Sequence, residues 1–225
     1  MSLLLDAAVC WKNMLDISYT FVIGHKWDTQ MIQLQFQPDE FAHLSGFHYV
    51  TDVDFHLPRQ ALYGKKLMQA VISGKIQEAS IEKSTHWDKV SQRLQDILFL
   101  EKILDDDFQI FQFHAYKLPF HSKIDANYLV YSTKYQTGIF LFIDREQSRD
   151  YCRSIFSKDS RDYTINQTQW TILEKESVRT VRKNCYSYIL LSMIYNFFPF
   201  PLAKCILFWY HITVQSSIPK ENPTK

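Results

Sequence analysis

The stretch from Ile139 to Phe156 reads IFLFIDREQSRDYCRSIF. Its two apolar ends, residues 139–143 and 151–156, are typical of strands, and the polar residues between them are typical of a turn. Three further stretches have the same character, and they cover residues 108–116, 128–133 and 170–175. The chain after Asp107 is therefore predicted to be rich in β-structure.

Helical periodicity dominates the chain before Asp107. Predicted helices cover residues 2–17, 38–46, 59–73 and 87–105. Ser2 is a candidate N-cap of the first helix. The last should end at or before the run Asp105-Asp106-Asp107, because carboxylates at a helix C-terminus oppose the helix dipole. Residues 19–23 and 31–36 are an exception, since their alternating pattern predicts a β-hairpin.

The order of these elements predicts the fold class. Helices come first and strands follow, without the regular alternation that produces parallel sheets. We therefore predict an α+β fold in which N-terminal helices pack on an antiparallel β-sheet. Residues 1–178 should form this domain, and residues 179–225 should form an apolar C-terminal extension of unknown role.

Composition narrows the functional classes. The chain has 225 residues, 25 Lys and Arg against 24 Asp and Glu, so any nucleic-acid site must be a local basic patch. The cysteines show no C-x-x-C pair and no zinc spacing, and are predicted to be small buried hydrophobic groups; they are Cys10, Cys152, Cys185 and Cys205. Asp6 follows the opening leucines without a basic region before them, which is unlike a signal peptide and favours a cytoplasmic location.

Residues 186–214 form a long apolar run, which leaves three interpretations open. The basic residues Arg179, Arg182 and Lys183 before it would suit the cytoplasmic side of a membrane, so weak membrane association is one. Lys204 falls in the middle of the run, where a charge is costly in lipid, as do Asn196 and two prolines. The alternatives are packing on the domain or on a partner, and a poorly ordered extension.

Motifs for nucleotide binding and for common hydrolases are absent from the sequence: it has no glycine-rich phosphate loop, no G-x-G-x-x-G and no G-x-S-x-G. The histidines His43, His48 and His56 lie close together, with Asp52 and Asp54 nearby. No established ligand spacing occurs there, so we predict no metal site. His43 falls at a helix end, where it is a candidate catalytic group or a cap that stabilises the helix dipole.

A second candidate cluster follows the strand at residues 151–156. In a strand Arg153 points away from both Cys152 and Ser154, so it should project onto the open face if Cys152 is buried. The loop at residues 162–171 offers a phenol, amides and hydroxyls, which suit phosphate contacts. The plain alternative is a solvated strand followed by an ordinary polar loop.

Both clusters resemble a known family. Residues 41–48 (FAHLSGFH), 151–156 (YCRSIF), 162–164 and 167–173 are similar to segments of the phage-associated barnase/EndoU/colicin/RelE-like nuclease family, fourth type, found in mobile-element proteins of Gram-positive bacteria. The resemblance covers residues 3–178. It implies helices packed on a curved antiparallel sheet, with RNA lying across the sheet.

The resemblance further implies a metal-independent endoribonuclease without a cofactor. In such a reaction a base deprotonates the ribose 2′-hydroxyl, an acid protonates the leaving 5′-oxygen and cations stabilise the phosphoryl charge. The implied catalytic residues are His43 as base or acid, Arg153 as phosphate clamp, and Tyr163. The implied substrate-binding residues are His48, Lys123, Ser154, Gln167 and Trp170.

The implied partners are RNA, with tRNA as one candidate, and an antitoxin or immunity protein. Two rival functions stay open on the sequence. One is a catalytically inactive module of the same fold that binds nucleic acid or protein. The other is an accessory protein tethered to a membrane through residues 186–214.

Overall fold

The computed structural model describes residues 2–133, 138–146 and 149–180, which form five α-helices and seven β-strands. The helices are α1 (Leu3–Met14), α2 (Glu40–Leu44), α3 (Gly64–Ile72), α4 (Glu78–Ile81) and α5 (Trp87–Asp105). The strands are β1 (Ile17–His25), β2 (Asp28–Gln35), β3 (Gln109–Gln112), β4 (Tyr128–Ser132), β5 (Ile139–Glu146), β6 (Arg149–Ser157) and β7 (Thr168–Arg179).

The strands close into a barrel in the order β1-β2-β6-β5-β4-β3-β7. All neighbours are antiparallel except β2 and β6, which run parallel and pair at Leu34 and Asp150. The predicted fold class, with N-terminal helices on a curved antiparallel sheet, is therefore wrong: the sheet is mixed and closed. Closure follows from the length of β7, which pairs with β3 up to Trp170 and with β1 from Thr171 to Arg179.

Most predicted elements are present with shifted bounds. Helix α5 spans the predicted residues 87–105 and ends at the acidic run, and the Ser2 hydroxyl caps α1 by accepting a hydrogen bond from the Leu5 N–H at 3.3 Å. The predicted helix at 59–73 is instead a 3₁₀ turn followed by α3, because the chain changes direction at Gly64, where φ is +57°. Helix α4 was not predicted.

Strand β5 is buried on both faces and separates two apolar cores. Its residues Ile139, Leu141 and Ile143 belong to the larger core, together with side chains of α1 and α5. Phe140 and Phe142 point the other way, into a smaller aromatic core. Because both faces of this strand are covered, it reads as a continuous apolar run rather than an alternating one.

An ion-paired clasp ties β2 to β6 where they meet. The Asp150 carboxylate accepts hydrogen bonds from Arg145 Nε at 2.7 Å, from Arg145 Nη2 at 3.2 Å and from the Gln33 N–H at 2.7 Å. Arg145 Nη2 also donates to the Met31 carbonyl at 2.6 Å. The clasp therefore reinforces a junction with a single parallel residue pair.

The predicted extension at 179–225 and its apolar run at 186–214 fall almost entirely outside the described residues, so the domain boundary stays a prediction. No helix within the described part of the chain is both long and apolar enough to span a membrane. Cys152 is buried as predicted, and Cys10 is partly buried.

Candidate active site

A pocket of about 1020 Å³ lies between α2, α5, β6 and the loops at 121–124 and 159–163. We call it the His43 pocket. Six of the eight residues singled out from the sequence line it: His43, His48, Lys123, Arg153, Ser154 and Tyr163. The fold therefore brings together the two clusters that the sequence separates by more than a hundred positions.

Strand β6 presents Arg153 to the pocket. Cys152 and Ser154 are buried on either side of it, whereas Arg153 is exposed, as the alternation of a strand predicts. Arg153 Nη1 lies 3.4 Å from the Tyr151 hydroxyl, which itself donates to Asp144 Oδ2 at 3.0 Å. Contact with this hydroxyl holds the guanidinium on the pocket side of the sheet without neutralising its charge.

Helix α2 and the turn after it bring two imidazoles together. His43 lies in the last turn of α2, and Gly46 ends the helix with φ of +74°, a conformation that favours glycine. The 3₁₀ turn Phe47–Tyr49 then returns the chain, so that the rings of His43 and His48 stack at 5.0 Å with an angle of 16°. The left-handed turn at Gly46 is what places two histidines in one pocket.

The pKa values of both imidazoles are lowered. Partial desolvation lowers the pKa of His43, as do the charges of Arg93 and Arg153, while a backbone hydrogen bond with Arg153 opposes the shift. Desolvation also lowers the pKa of His48, to about 4, with contributions from His43 and Arg93. A lowered pKa favours the uncharged form of the His43 ring, which weakens the interpretation of His43 as a charged cap of the helix dipole.

Helix α5 supplies two cations that sequence reasoning missed. The Arg93 guanidinium lies 5.6 Å from the ring centre of Tyr49 and 5.9 Å from that of Phe156, and the Lys89 ammonium lies 5.8 Å from that of Tyr49. The sequence feature that could have identified Lys89 and Arg93 is their i, i+4 spacing on the polar side of a helix whose other side is an apolar stripe.

Positive charge predominates in the pocket. Its cations are Lys89, Arg93, Lys123, Arg153 and Arg161, and its carboxylates are Asp88 and Asp159. Asp159 is paired with Arg161 at 2.6 Å. The pocket is therefore the kind of local basic patch that a chain with a net charge of +1 needs in order to bind a polyanion.

The family model described as phage-Barnase-EndoU-ColicinE5/D-RelE like nuclease 4 matches residues 3–188. The chain belongs to this nuclease family. The match confirms the resemblance found in the sequence, over a slightly longer stretch than predicted. No curated protein and no solved structure shows significant similarity to the chain.

In this nuclease-family domain a buried carboxylate fixes the two walls of the pocket. Asp96 of α5 accepts hydrogen bonds from the Ser157 N–H at 2.8 Å and from the Ser157 hydroxyl at 2.5 Å. Gln92, on the preceding turn of α5, also donates to the Ser157 hydroxyl, at 3.1 Å. Burial raises the pKa of Asp96. The contact sets the position of Arg93 on α5 relative to Arg153 on β6.

Tyr163 and Ser154 form the pocket wall and are themselves buried. Tyr163 is 2% exposed and packs edge to face on the rings of Phe140, Phe142 and Phe156, with centres 5.4 Å apart. Burial raises the pKa of its hydroxyl, which therefore stays protonated and can act as a hydrogen-bond donor but not as a base at neutral pH.

Gln167 and Trp170 lie outside the His43 pocket. Gln167 binds the backbone of His114 in both directions: its Oε1 accepts from the N–H at 2.7 Å and its Nε2 donates to the carbonyl at 3.2 Å. Trp170 is 5% exposed and belongs to the larger core. The contacts that the structure gives both side chains are therefore contacts that stabilise the fold.

The third histidine of the sequence cluster does not join the other two. His56 is exposed and contacts Asp54 at 3.1 Å, while Asp52 accepts hydrogen bonds from the hydroxyls of Ser84 and Thr85. Nowhere in residues 2–133, 138–146 and 149–180 do three His, Cys, Asp or Glu side chains cluster closely enough to hold a metal ion. The absence of a cofactor stays a prediction.

Proposed function

We propose that the chain is a metal-independent endoribonuclease whose reaction takes place in the His43 pocket. The observation that carries the proposal is the imidazole of His43 held among the cations Arg93 and Arg153 in a basic pocket, where its pKa is lowered. A proton acceptor beside fixed positive charge suits attack of a ribose hydroxyl on a phosphodiester, because the reaction needs a base and stabilisation of phosphoryl charge.

In the proposed reaction His43 takes the proton of the ribose 2′-hydroxyl. The 2′-oxygen attacks the adjacent phosphorus, the bond from phosphorus to the 5′-oxygen breaks, and that oxygen takes a proton from water. The products are a 2′,3′-cyclic phosphate and a 5′-hydroxyl end. Arg153 contacts the phosphoryl oxygens through its planar fork, and Arg93, absent from the sequence-based set, does so from the opposite wall.

The other residues of the pocket bind and orient the substrate. His48 stacks on His43 and holds its ring in place, Lys123 contacts a neighbouring phosphate, and the hydroxyls of Ser154 and Tyr163 donate from the wall. RNA, including tRNA, is the proposed substrate. An immunity protein that inhibits the nuclease would have to cover this basic pocket, and acidic side chains would suit that role.

The test incubates purified protein with end-labelled total RNA and with tRNA in excess EDTA. Removing Arg153 as Arg153→Ala should lower cleavage about 100- to 1000-fold, as loss of one oxyanion-stabilising donor does. His43→Ala should lower it about 100-fold or more, as loss of a general base does. Arg179→Ala is the matched control, since it removes another exposed arginine that does not line the pocket, and should cleave like the wild type.

Three outcomes separate the hypotheses. Cleavage that leaves cyclic phosphate ends, and is lost in both pocket variants alone, supports the proposal. RNA binding with a steep salt dependence but no cleavage favours the inactive binding module instead. Cleavage that survives both substitutions refutes the assignment of the reaction to this pocket.

A further inference from the structure

A second pocket of about 580 Å³ adjoins the first. We call it the His114 pocket, after a side chain on its rim. Ile124 lines both pockets, so the segment at 121–127 is the wall between them. A single strand of nucleic acid seated in one pocket can therefore reach the other by crossing this wall.

The rim of the His114 pocket carries an aromatic pair, Tyr116 and the partly buried His114, and the Lys117 ammonium lies 6.0 Å from the Tyr116 ring centre. Tyr116 is 80% exposed, and its ring lies 5.3 Å from that of His114. The rim backbone is fixed from below: Gln167 binds the N–H and the carbonyl of His114, and Asn166 Nδ2 donates to the Lys117 carbonyl at 3.2 Å. An exposed ring on a fixed backbone is a ready platform for stacking, because little is left to order when a ligand binds.

The charge of this pocket differs from that of its neighbour. Its cation, Arg145, is already paired with Asp150 at 2.7 Å, and Asp125 adds an exposed carboxylate to the lining. A phosphate group would therefore bind poorly in this pocket. The lining also holds three amide side chains. Gln30 is engaged by Tyr128 and Asp28, and Asn127 Oδ1 accepts from the Arg145 N–H at 2.8 Å. This leaves the Gln112 amide and the Asn127 Nδ2 group as donors and acceptors of the kind that recognise the edges of bases.

We propose that the His114 pocket binds a nucleobase of the RNA strand whose backbone lies in the His43 pocket. The base stacks on Tyr116, and the amide side chains contact its edge. The inference rests on the proposed function and adds a requirement on its substrate. The RNA must be single-stranded at this position, because a paired base could not turn out into the pocket. Gln167 is then a positioning residue, which acts through the backbone of His114.

The experiment measures equilibrium binding of short 2′-O-methyl single strands, which cannot be cleaved through the 2′-oxygen, to the full chain. Each strand carries one abasic site, and the site is moved along the strand. The wild type should lose affinity at least about fivefold at one position, the loss expected when one base stops stacking on an aromatic ring. Tyr116→Ala should bind the intact strand as weakly as the wild type binds that abasic strand, and should be indifferent to the abasic site there.

Three control variants make the result specific. Tyr63→Ala removes another exposed tyrosine, one that lines neither pocket, and should reproduce the wild-type abasic profile. Tyr116→Phe keeps the ring and should restore the wild-type profile. Arg153→Ala should weaken every strand by a similar factor, since it reports the phosphate contact in the His43 pocket.

The outcomes distinguish failure of the inference from failure of the proposed function. A wild-type abasic profile in Tyr116→Ala, or equal weakening of duplex and single strand, overturns the base subsite while leaving the nuclease proposal intact. An abasic profile that depends on Tyr116, together with natural RNA that stays uncut, supports the subsite and refutes the nuclease. Absence of any RNA binding overturns both.

Discussion

Removing the carboxylate of Asp150 should destabilise the fold far more than removing an exposed carboxylate that is also paired with an arginine. The Asp150 side chain is 5% exposed and accepts two hydrogen bonds from Arg145 and one from the Gln33 N–H. Breaking a buried ion pair costs about 3–5 kcal/mol. Because Arg145 is 40% exposed and can turn to water, we expect Asp150→Ala to cost somewhat less, about 2–4 kcal/mol.

The matched control is Asp159→Ala. Asp159 also accepts two hydrogen bonds from an arginine side chain, at 2.9 and 2.6 Å from Arg161, and one from a backbone N–H, that of Arg161 at 2.7 Å, but the two side chains are 43% and 48% exposed. Exposed pairs contribute about 1 kcal/mol at most. Urea unfolding at pH 7 gives both free energies, and thermal unfolding should show Tm lowered by about 5–15 °C for Asp150→Ala. Equal losses in the two variants would refute the argument that burial makes the β2–β6 clasp contribute more to stability than the exposed Asp159–Arg161 pair.

Three further predictions concern the turn at Gly46 and the two histidines that it brings together. Gly46→Ala and Gly74→Ala both place a side chain at φ of +74°, and each should lower the free energy of unfolding in urea by about 1 kcal/mol. The new Cβ at position 46 would lie 2.8 Å from Arg93 Cδ, whereas the new Cβ at position 74 meets nothing within 4 Å. Gly46→Ala alone should therefore lower cleavage, by about tenfold or more, and equal activities of the two variants would contradict the role of Arg93. Because burial and neighbouring cations lower the pKa of His43, cleavage rates measured from pH 8 downward should begin to fall at a lower pH than they would for a base with the ordinary imidazole pKa of 6.5. The pKa of His48 in the folded state, about 4, is also depressed, so the contribution of the neutral ring to stability is complete above pH 6.5 and is lost as pH falls toward 4. His48→Gln should remove this loss of stability in urea midpoints measured across that pH range. An unchanged pH dependence of the midpoint in His48→Gln would contradict the prediction.

The sequence predicts local structure well where one physical signal dominates. Helix α5 has an apolar stripe on one side and an acidic run at its end, and its bounds come out as predicted. Strand β5 is recognisable because five apolar residues follow one another. The closed barrel could not be predicted in this way. It depends on β7 pairing with two strands and on Leu34 meeting Asp150, contacts between residues far apart in the chain that leave no periodic pattern.

The candidate site likewise contains residues whose placement could be predicted from local sequence and residues whose placement depends on long-range packing. The Cys152-Arg153-Ser154 alternation correctly places Arg153 on the open face, because strand geometry alone determines it. Trp170 has the same kind of polar neighbours in the sequence but lies in the larger core, since its partner across the sheet is the buried Ile110. Arg93 reaches the pocket through the packing of α5 against β6, which the sequence of α5 alone does not encode.

Charge balance explains how a nearly neutral chain can present a basic pocket. Most of the ion pairs within the described residues neutralise cations elsewhere: Arg145–Asp150, Arg149–Glu40, Lys158–Asp162 and Arg179–Glu101. Among those residues no carboxylate pairs with Arg93 or Arg153, and both are held by neutral groups, the Leu44 carbonyl and the Tyr151 hydroxyl. Their charge is therefore positioned but not cancelled, which is the condition for stabilising a phosphate. The net charge of +1 is a sum over paired and unpaired groups, and only the unpaired ones can act on a ligand.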